Sequence, residues 1–479
     1  WIVRYLVENS LGRMWMLNRP QSKLAEQMDY YIAPEEPESD FLKVTSPEEL
    51  KIVDPAVGSG HMLTYAFDLL YAIYEEEGYD PNEVPALIIE KNLYGIEIDD
   101  RASALAAFAL EMKAAEKLTL RRFLKLAATP NICVLEDVSF TDDEMDDVIS
   151  IVGQDLYTAD LRETLTQFEN TKNFGSLIMP KLKDPAEIAR LVESKDLAGD
   201  MFLSEVHQRI TKVLRMAEFL SPKYHVVVAN PPYLGSKGMN GRLSSFAKKY
   251  YPDSKSDLFA MFMERTLSMS LKRGMMAMIN MQSWMFLSSY ENLRGKLLTH
   301  STILSMAHLG ERAFDTIGGA VVSTTAFVIQ NAHHASLKGE YTRLIDGNSE
   351  AEKSARMREA IQSQDCGWFY RASAEDFGKI PGSPVAYWLS NQVRKIFGAG
   401  TPIGEIAAPR KGNSTSNNDR FLKFWPEVSL VKCGYRQSKS EAFANAALKW
   451  CPYNKGGGFR RWYGFNEFLI NWEFCGKEI

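Results

Sequence analysis

Short continuous apolar runs alternate along this chain with longer stretches of helical pattern. "LKIVD" is an apolar run of strand length, followed by a glycine turn and a long helix-patterned stretch, "HMLTYAFDLLYAIYEEEG". "KNLYGIEIDD" repeats the strand and leads into the Ala-rich helix "RASALAAFALEMKAAEKLTL", and "NICVLEDV" is a third strand run. Strands alternating with helices predict an α/β fold, a doubly wound parallel sheet with helices on both faces. A charged, helix-patterned insertion at about residues 141–222 interrupts the alternation, and "VVVAN" resumes the sheet. "DLFAMFMERTLSMSLKRGMMAMINMQSW" then reads as a helix and another strand, and the β-branched "AVVSTTAFVIQNA" as one more. The Met-rich run from Met261 to Met285 reads as core packing. Residues 1–18 look helical, and residues 33–50 form a Pro- and Glu-rich loop. A boundary near residues 395–405 predicts one domain over 1–399 and the beginning of another over 400–479.

Bulk composition narrows the class. A chain of 479 residues exceeds one ordinary core, and 45% apolar with 24% charged residues is the composition of a soluble globular protein. No apolar run reaches the roughly 18–20 residues that cross a bilayer, so no membrane partner is expected. Five cysteines without a CxxC pair fit a reducing, cytoplasmic location and argue against a structural zinc site or other metal. The N-terminal "WIVRYLVENSLGRMW" lacks Met and reads as a helix already under way, so a fragment of a longer protein is expected. Net charge is −6, yet residues 401–479 carry twelve Lys/Arg against seven Asp/Glu and hold 14 of the 54 aromatics. A basic, aromatic-rich end on an acidic body suits a nucleic-acid-facing surface, or equally a solvated face over a packed core.

Two stretches carry chemistry. In "DPAVGSGHM" a carboxylate, Asp54, ends a strand, and Gly58 and Gly60 let backbone amides approach a ligand before a helix opens. The third glycine of a pyrophosphate loop is missing, as is the GK[ST] of a P-loop. Asp54 suits the ammonium of an amino-acid portion, although an ordinary strand–helix turn would look the same. Glu97, at the end of the second strand, suits ribose hydroxyls. Asp99 and Asp100 read as a helix cap, and His61 as a helix-opening residue. Asp137 suits an adenine amine, or is an exposed acidic turn. Three acid-tipped strands and one glycine turn point to S-adenosylmethionine rather than NAD.

The second stretch is "VVVANPPYLGSK". Its bland reading is a strand terminator. An Asn-Pro-Pro-aromatic tetrad nevertheless arises by chance on the order of once in a few hundred such chains. The side-chain oxygen of Asn230 and the carbonyl of Pro231 can accept both N–H bonds of a planar exocyclic amine and localise its lone pair on nitrogen. Pro231 and Pro232 hold that geometry rigidly, and Tyr233 offers a face to an extruded base. Cytosine C5 chemistry would need a nucleophilic cysteine, usually in a Pro-Cys pair, and the chain has no such pair.

"DPAVGSGH", "GIEID" and "NPPY", in that order, resemble the amino-methyltransferases that act on adenine N6 in DNA. "NFGSLI" at residues 173–178, "GEIAAPRKGNSTSNNDRFLKFW" and "YNKGGGFRRWYGFNEFLINW" resemble the BREX phage-defence methyltransferases, the PglX family, over essentially the whole chain. That resemblance implies a Rossmann-like S-adenosylmethionine-dependent methyltransferase sheet followed by the start of a DNA target-recognition domain, with truncation at both termini. It implies that Asp54, Pro55, Ala56, Gly58, Gly60, Glu97, Ile98 and Asp137 bind the cofactor and that Asn230, Pro231, Pro232 and Tyr233 are catalytic. Arg410, Lys411, Asn413 and Arg420 would contact double-stranded DNA, and Phe314 or Phe327 would supply a second stacking ring. Other phage-defence proteins and phage DNA-mimic inhibitors would be further partners. Three alternatives stay open: a type IIG-like restriction–modification subunit, a protein or RNA amino-methyltransferase, and a catalytically silent DNA- or cofactor-binding module.

Overall fold

Most strands form where the sequence is rich in apolar residues, with Gly339–Arg343 and Phe369–Ala372 as polar exceptions at one edge of the sheet. β1 (Ile52–Asp54), β2 (Leu93–Glu97), β3 (Asn131–Val134), β4 (Tyr224–Ala229), β5 (Ser270–Met281), β6 (Thr302–Gly310), β7 (Thr324–Gln330), β8 (Gly339–Arg343) and β9 (Phe369–Ala372) make one sheet. Their order is β3-β2-β1-β4-β5-β7-β6-β8-β9. Val226 through Ala229 are wholly buried, as a parallel strand covered on both faces must be. The sheet is parallel except for β7 and β9, which run against their neighbours. The expectation of a doubly wound parallel sheet thus holds over β1–β5, while the right-hand part is mixed. This computed structural model describes residues 1–479 except 153–157, 195–200, 316–321, 409–414, 416 and 436–446. It divides into two compact units, Trp1–Gly400 and Thr401–Ile479.

Alternate side chains of β5 feed opposite layers, as strand geometry requires. Met275, Ala277 and Ile279 join the core that contains the N-terminal helical segment, whereas Met276 and Met278 join a second core with Ala229, Trp284 and Phe327. The methionine run is core. The inserted helices, including Asp142–Val152, Thr158–Gln167, Pro185–Glu193 and Met201–Phe219, pack their apolar faces together against Val53, Ile96 and Val227.

The N-terminal segment, helical over Ile2–Val7 and Arg13–Asn18 with a wider π-helical turn between, is fastened beside the helix His61–Glu76. Buried Glu8 accepts hydrogen bonds from the Tyr65 hydroxyl and the Tyr30 amide, both at 2.6 Å. Burial pushes its carboxyl above the usual value despite these donors and Arg4.

The second unit holds an antiparallel sheet of β10 (Leu422–Phe424), β11 (Trp450–Tyr453) and β12 (Phe468–Asn471), with β12 central. Its small core contains Phe421, Leu422, Leu469 and Ile470, and it exposes Phe459, Trp462 and Tyr463 almost fully. No helix among the described residues is long and apolar enough to cross a membrane, and none of their His, Cys, Asp and Glu groups could hold a metal ion.

Candidate active site

The chain winds outward from β1 through β2 to β3, then returns to place β4 on the other side of β1. That reversal makes a crevice beyond the C-terminal ends of β1 and β4, the place where open α/β sheets bind ligands. "DPAVGSGH" leaves β1 and "NPPY" leaves β4 at this one edge.

Backbone geometry explains the glycines. Gly58 has φ +52° and Gly60 φ +85°, a left-handed region where side chains are strained. A Cβ on Gly60 would stand 3.2 Å from Ala106 Cα, so the helix Asp100–Lys117 packs directly on the turn. A Cβ on Gly58 would meet nothing within 4 Å, so this part of the loop faces open space. The Gly58 amide donates to Glu97 Oε2 at 2.9 Å, while Glu97 Oε1 accepts from the amides of Ile98 and Asp99 at 2.8 and 3.2 Å. Glu97 therefore ties the glycine loop to the tip of β2. A carboxylate has about four acceptor positions, which leaves capacity for a hydroxyl. Ile98 beside it is 41% exposed and presents an apolar surface.

Asp54 is 2% exposed, and its Oδ1 accepts from the Ala56 amide at 3.0 Å, so it shapes the Pro55–Ala56 turn from beneath. Burial, with a further contribution from the Glu97 charge, pushes its carboxyl up to about 7. Asp137 lies exposed beyond β3, and its Oδ1 accepts from the Lys172 amide at 2.8 Å. Asp99 caps its helix by accepting from the amides of Arg101 and Ala102. His61 opens its helix on the surface with Nδ1 2.9 Å from the Ser59 hydroxyl.

At the end of β4, Asn230 is exposed and Pro231 buried. Tyr233 is 36% exposed, edge-on to Phe259 at 6.1 Å, with its hydroxyl 3.4 Å from the Ile279 carbonyl. Burial, then the Asp257 charge, raises that hydroxyl well above its ordinary pKa, so the tyrosine is neutral. The turn after Tyr233 is pinned by Asp257, whose Oδ1 accepts from the Leu234 amide at 3.0 Å while capping the helix Leu258–Met269. Because the Tyr233 hydroxyl makes only a long hydrogen bond, Tyr233→Phe is expected to change kcat/KM for the methyl transfer proposed below less than threefold. Loss of the ring in Tyr233→Ala is expected to cost about 1–3 kcal/mol of the base stacking proposed there, roughly five- to 150-fold, measured by steady-state kinetics on one duplex.

Sequence reasoning missed what the insertion does here. Its segment Thr171–Ile178, which contains "NFGSLI", returns to the strand tips. Lys172 Nζ donates to the Ile98 carbonyl at 3.0 Å, and the Ser176 hydroxyl donates to the Pro55 carbonyl at 2.5 Å. The Ser176 carbonyl in turn accepts from Arg265 Nε at 2.7 Å, and the Leu177 carbonyl from the Tyr251 hydroxyl at 2.6 Å. Asn173 and Asn240 pair through their side chains, and Phe174 stacks on Phe246 with centroids 4.2 Å apart. One eight-residue segment thus joins the glycine-loop side of the crevice to the NPPY side. Its sequence signals were the glycine and small, polar residues amid apolar ones, and the family resemblance of "NFGSLI", neither of which says what the segment contacts.

Phe327 is not a stacking ring. It is wholly buried on β7 against Trp284, at 5.1 Å, because the middle of a strand covered on both faces has no access to the crevice. Phe314, partly buried at the end of the segment after β6, remains the candidate of the two. Arg410, Lys411 and Asn413 lie outside the described residues. Arg420 is exposed but engaged, with its guanidinium 2.6 Å from Glu478 and over the Phe421 ring.

Residues 91–314 match the Eco57I restriction-modification methylase family. All of the chain aligns with the adenine-specific methyltransferase BrxX of Escherichia coli O9:H4 (strain HS) at 41% identity, and with the adenine-specific methyltransferase PglX of Lacticaseibacillus casei (strain Zhang) at 38%. The chain spans 41% of the length of either relative. A nuclease-deletion mutant of the Type ISP restriction-modification enzyme LlaGI, solved with a DNA substrate mimic, aligns over 75% of this chain and 25% of its own at 14% identity and TM-score 0.43. Over its full length this chain is a homologue of part of the adenine-specific methyltransferases BrxX and PglX, with an Eco57I-type methylase region at residues 91–314.

Proposed function

We propose that this chain carries the catalytic part of an S-adenosylmethionine-dependent methyltransferase that modifies adenine N6 in double-stranded DNA, in a BREX-type phage-defence system that marks host DNA as self. The observation that carries this reading is the placement of the glycine loop and the Asn-Pro-Pro-Tyr tetrad on the adjacent strands β1 and β4, at the reversal of strand order. Other phage-defence proteins would act with it, and phage proteins that imitate DNA would compete for its basic surface.

The residues fit the cofactor. The left-handed turn opens onto empty space at Gly58, Glu97 keeps acceptor capacity for ribose hydroxyls, Ile98 offers an apolar face, and Asp137 lies beyond the next strand. When bound, S-adenosylmethionine supplies an electrophilic methyl group on sulfonium. The chain's own part is to bring the amine there in a reactive state. The Asn230 side-chain oxygen and the Pro231 carbonyl accept the two N–H bonds of adenine N6, so its lone pair leaves the ring system. Tyr233 supports the face of the extruded base, and Pro232 holds the turn rigid. Held in this way, the amine would be nucleophilic towards the methyl group that the cofactor supplies, and its surplus proton would pass to solvent.

Asp54 gives a pH test. Its folded-state pKa of about 7 lies above the ordinary 3.8. It therefore withdraws stability from the free protein progressively as pH rises from about 4 to 7, with no further loss above. A cationic amino-acid portion favours the ionised form, so cofactor affinity is expected to rise with pH up to about 7 and then level off. Below that point the slope approaches tenfold per pH unit. Asp54→Asn is expected to bind weakly with a flat pH profile, measured by calorimetry between pH 5.5 and 8.

The function itself is tested by expressing the full-length protein with its genomic neighbours in a host lacking adenine methylases. Methylated nucleosides in host DNA are then quantified by mass spectrometry. N6-methyladenine is the expected product; its absence alongside measurable cofactor binding would overturn the DNA assignment.

A further inference from the structure

Beyond the candidate active site, a concentration of positive charge around a concavity lies at the opposite edge of the main sheet. Lys338 immediately precedes β8, which runs parallel to β6, and Arg371 sits on β9, which runs back antiparallel beside it. Both therefore lie towards the N-terminal end of β8, away from the edge where the glycine loop and the tetrad emerge. With Lys379, Arg394 and Lys395 they line a cavity of ≈350 Å³ in which Asp376 is the sole acid.

Charge bookkeeping shows what the cavity lacks. Asp376 is 2.9 Å from Lys379 and 3.1 Å from Arg394, and Arg371 is 3.1 Å from Glu35, outside the cavity. Lys338 and Lys395 form no ion pair among the described residues and are exposed. Glu340 also faces Arg371 across the β8–β9 pairing, and Lys338 borders a second cavity lined by Glu35, Glu36, Glu38 and Asp40, so the surplus is that of Lys379, Arg394 and Lys395 over Asp376, which repels itself unless an anion enters. The geometry is also prearranged. Arg394 is 5% exposed, with its guanidinium fixed by Asp376, the Asn391 side chain and the Tyr387 carbonyl, the last two at 3.3 Å. Asn391 is the first residue of the nine-residue helix Asn391–Ala399, whose positive dipole end adds to the same field.

We propose that this cavity binds a phosphate-bearing ligand, a compact chain of phosphate groups such as a nucleotide carries, at a site separate from the candidate methylation crevice. Guanidinium and ammonium groups together match the dispersed negative charge of phosphate oxygens, where a single carboxylate would leave most of the surplus unmet. The volume accommodates a short phosphate chain and not a duplex. The assignment does not depend on the methyltransferase reading.

The test titrates orthophosphate, pyrophosphate and tripolyphosphate into the whole chain by calorimetry at constant ionic strength. Wild type is compared with a Lys338→Glu, Lys395→Glu double variant, which alters only exposed side chains. Saturable binding that tightens with phosphate number is expected, together with a loss of about tenfold or more in the variant at an unchanged melting temperature. A parallel anisotropy titration with a non-specific DNA duplex separates the sources. If polyphosphates fail to bind while the duplex binds and the variant weakens it, the phosphate belongs to a nucleic-acid backbone, and the small-ligand proposal is overturned. Equal polyphosphate affinity in wild type and variant, or no saturable binding of any anion, overturns it as well.

Discussion

Asn230→Ala is expected to lower the rate of methyl transfer by about a thousandfold or more, at the upper end of what removing one positioned hydrogen-bonding group costs an enzyme. The Asn230 side chain is exposed at the end of a buried strand and makes no hydrogen bond among the described residues, so nothing in the fold depends on it. A surface substitution of that kind changes stability by about 0.5 kcal/mol or less. The adenine amine, in contrast, loses an acceptor for which the Pro231 carbonyl alone cannot substitute. Single-turnover rates should therefore collapse while cofactor affinity and the melting temperature stay unchanged. A variant that keeps more than a tenth of the wild-type rate would remove Asn230 from the chemistry.

Arg265→Met is expected to be the most damaging substitution away from the reacting groups. Arg265 is 2% exposed and has no acidic partner among the described residues; its guanidinium donates to the carbonyls of Ser176 and Leu220 and to the Ser268 hydroxyl. Burial lowers its pKa from the usual value, with Tyr251 and Tyr224 opposing that shift. Methionine roughly preserves the volume but strands two buried carbonyls, at about 1–3 kcal/mol each, so a loss of about 2–6 kcal/mol is expected from the urea midpoint. The Ser176 carbonyl belongs to the segment whose hydroxyl holds Pro55 beside the glycine loop. Cofactor affinity should therefore fall as well, even at low temperature where the variant remains folded. Unchanged affinity in folded Arg265→Met would show that the 171–178 segment does not support the loop.

Some of this site was legible because its determinants are local. A strand that ends in Asp-Pro and turns through two glycines, or one that ends in Asn-Pro-Pro-Tyr, states its backbone geometry within a few residues: glycine permits positive φ and proline forbids further pairing. The Asp99 cap, the methionine core run and the strands β1 to β3 were legible for the same reason. Asp54 was only half legible. Its place at a strand end was clear, but its 2% exposure and the resulting rise of its carboxyl to about 7 depend on the layers packed above it.

What the sequence by itself determined is the alternation of strands and helices, the two motifs at strand ends and the basic, aromatic C-terminal composition. Each rests on interactions between residues close in the chain. Only the tertiary structure decided that β7 runs antiparallel between β5 and β6, since a strand buried on both faces has the same apolar pattern in either direction. That placement buries Phe327. The folded chain also decided that the insertion returns through Ser176 to Pro55, 121 residues away, and through Lys172 to Ile98, 74 residues away. Likewise Lys338, Arg371 and Arg394 became one cavity through the pairing of β8 with β9 and the packing of a helix beside them. Such contacts join groups that are ordinary in isolation, and their chemistry exists only once packing has paid the entropy of bringing them together.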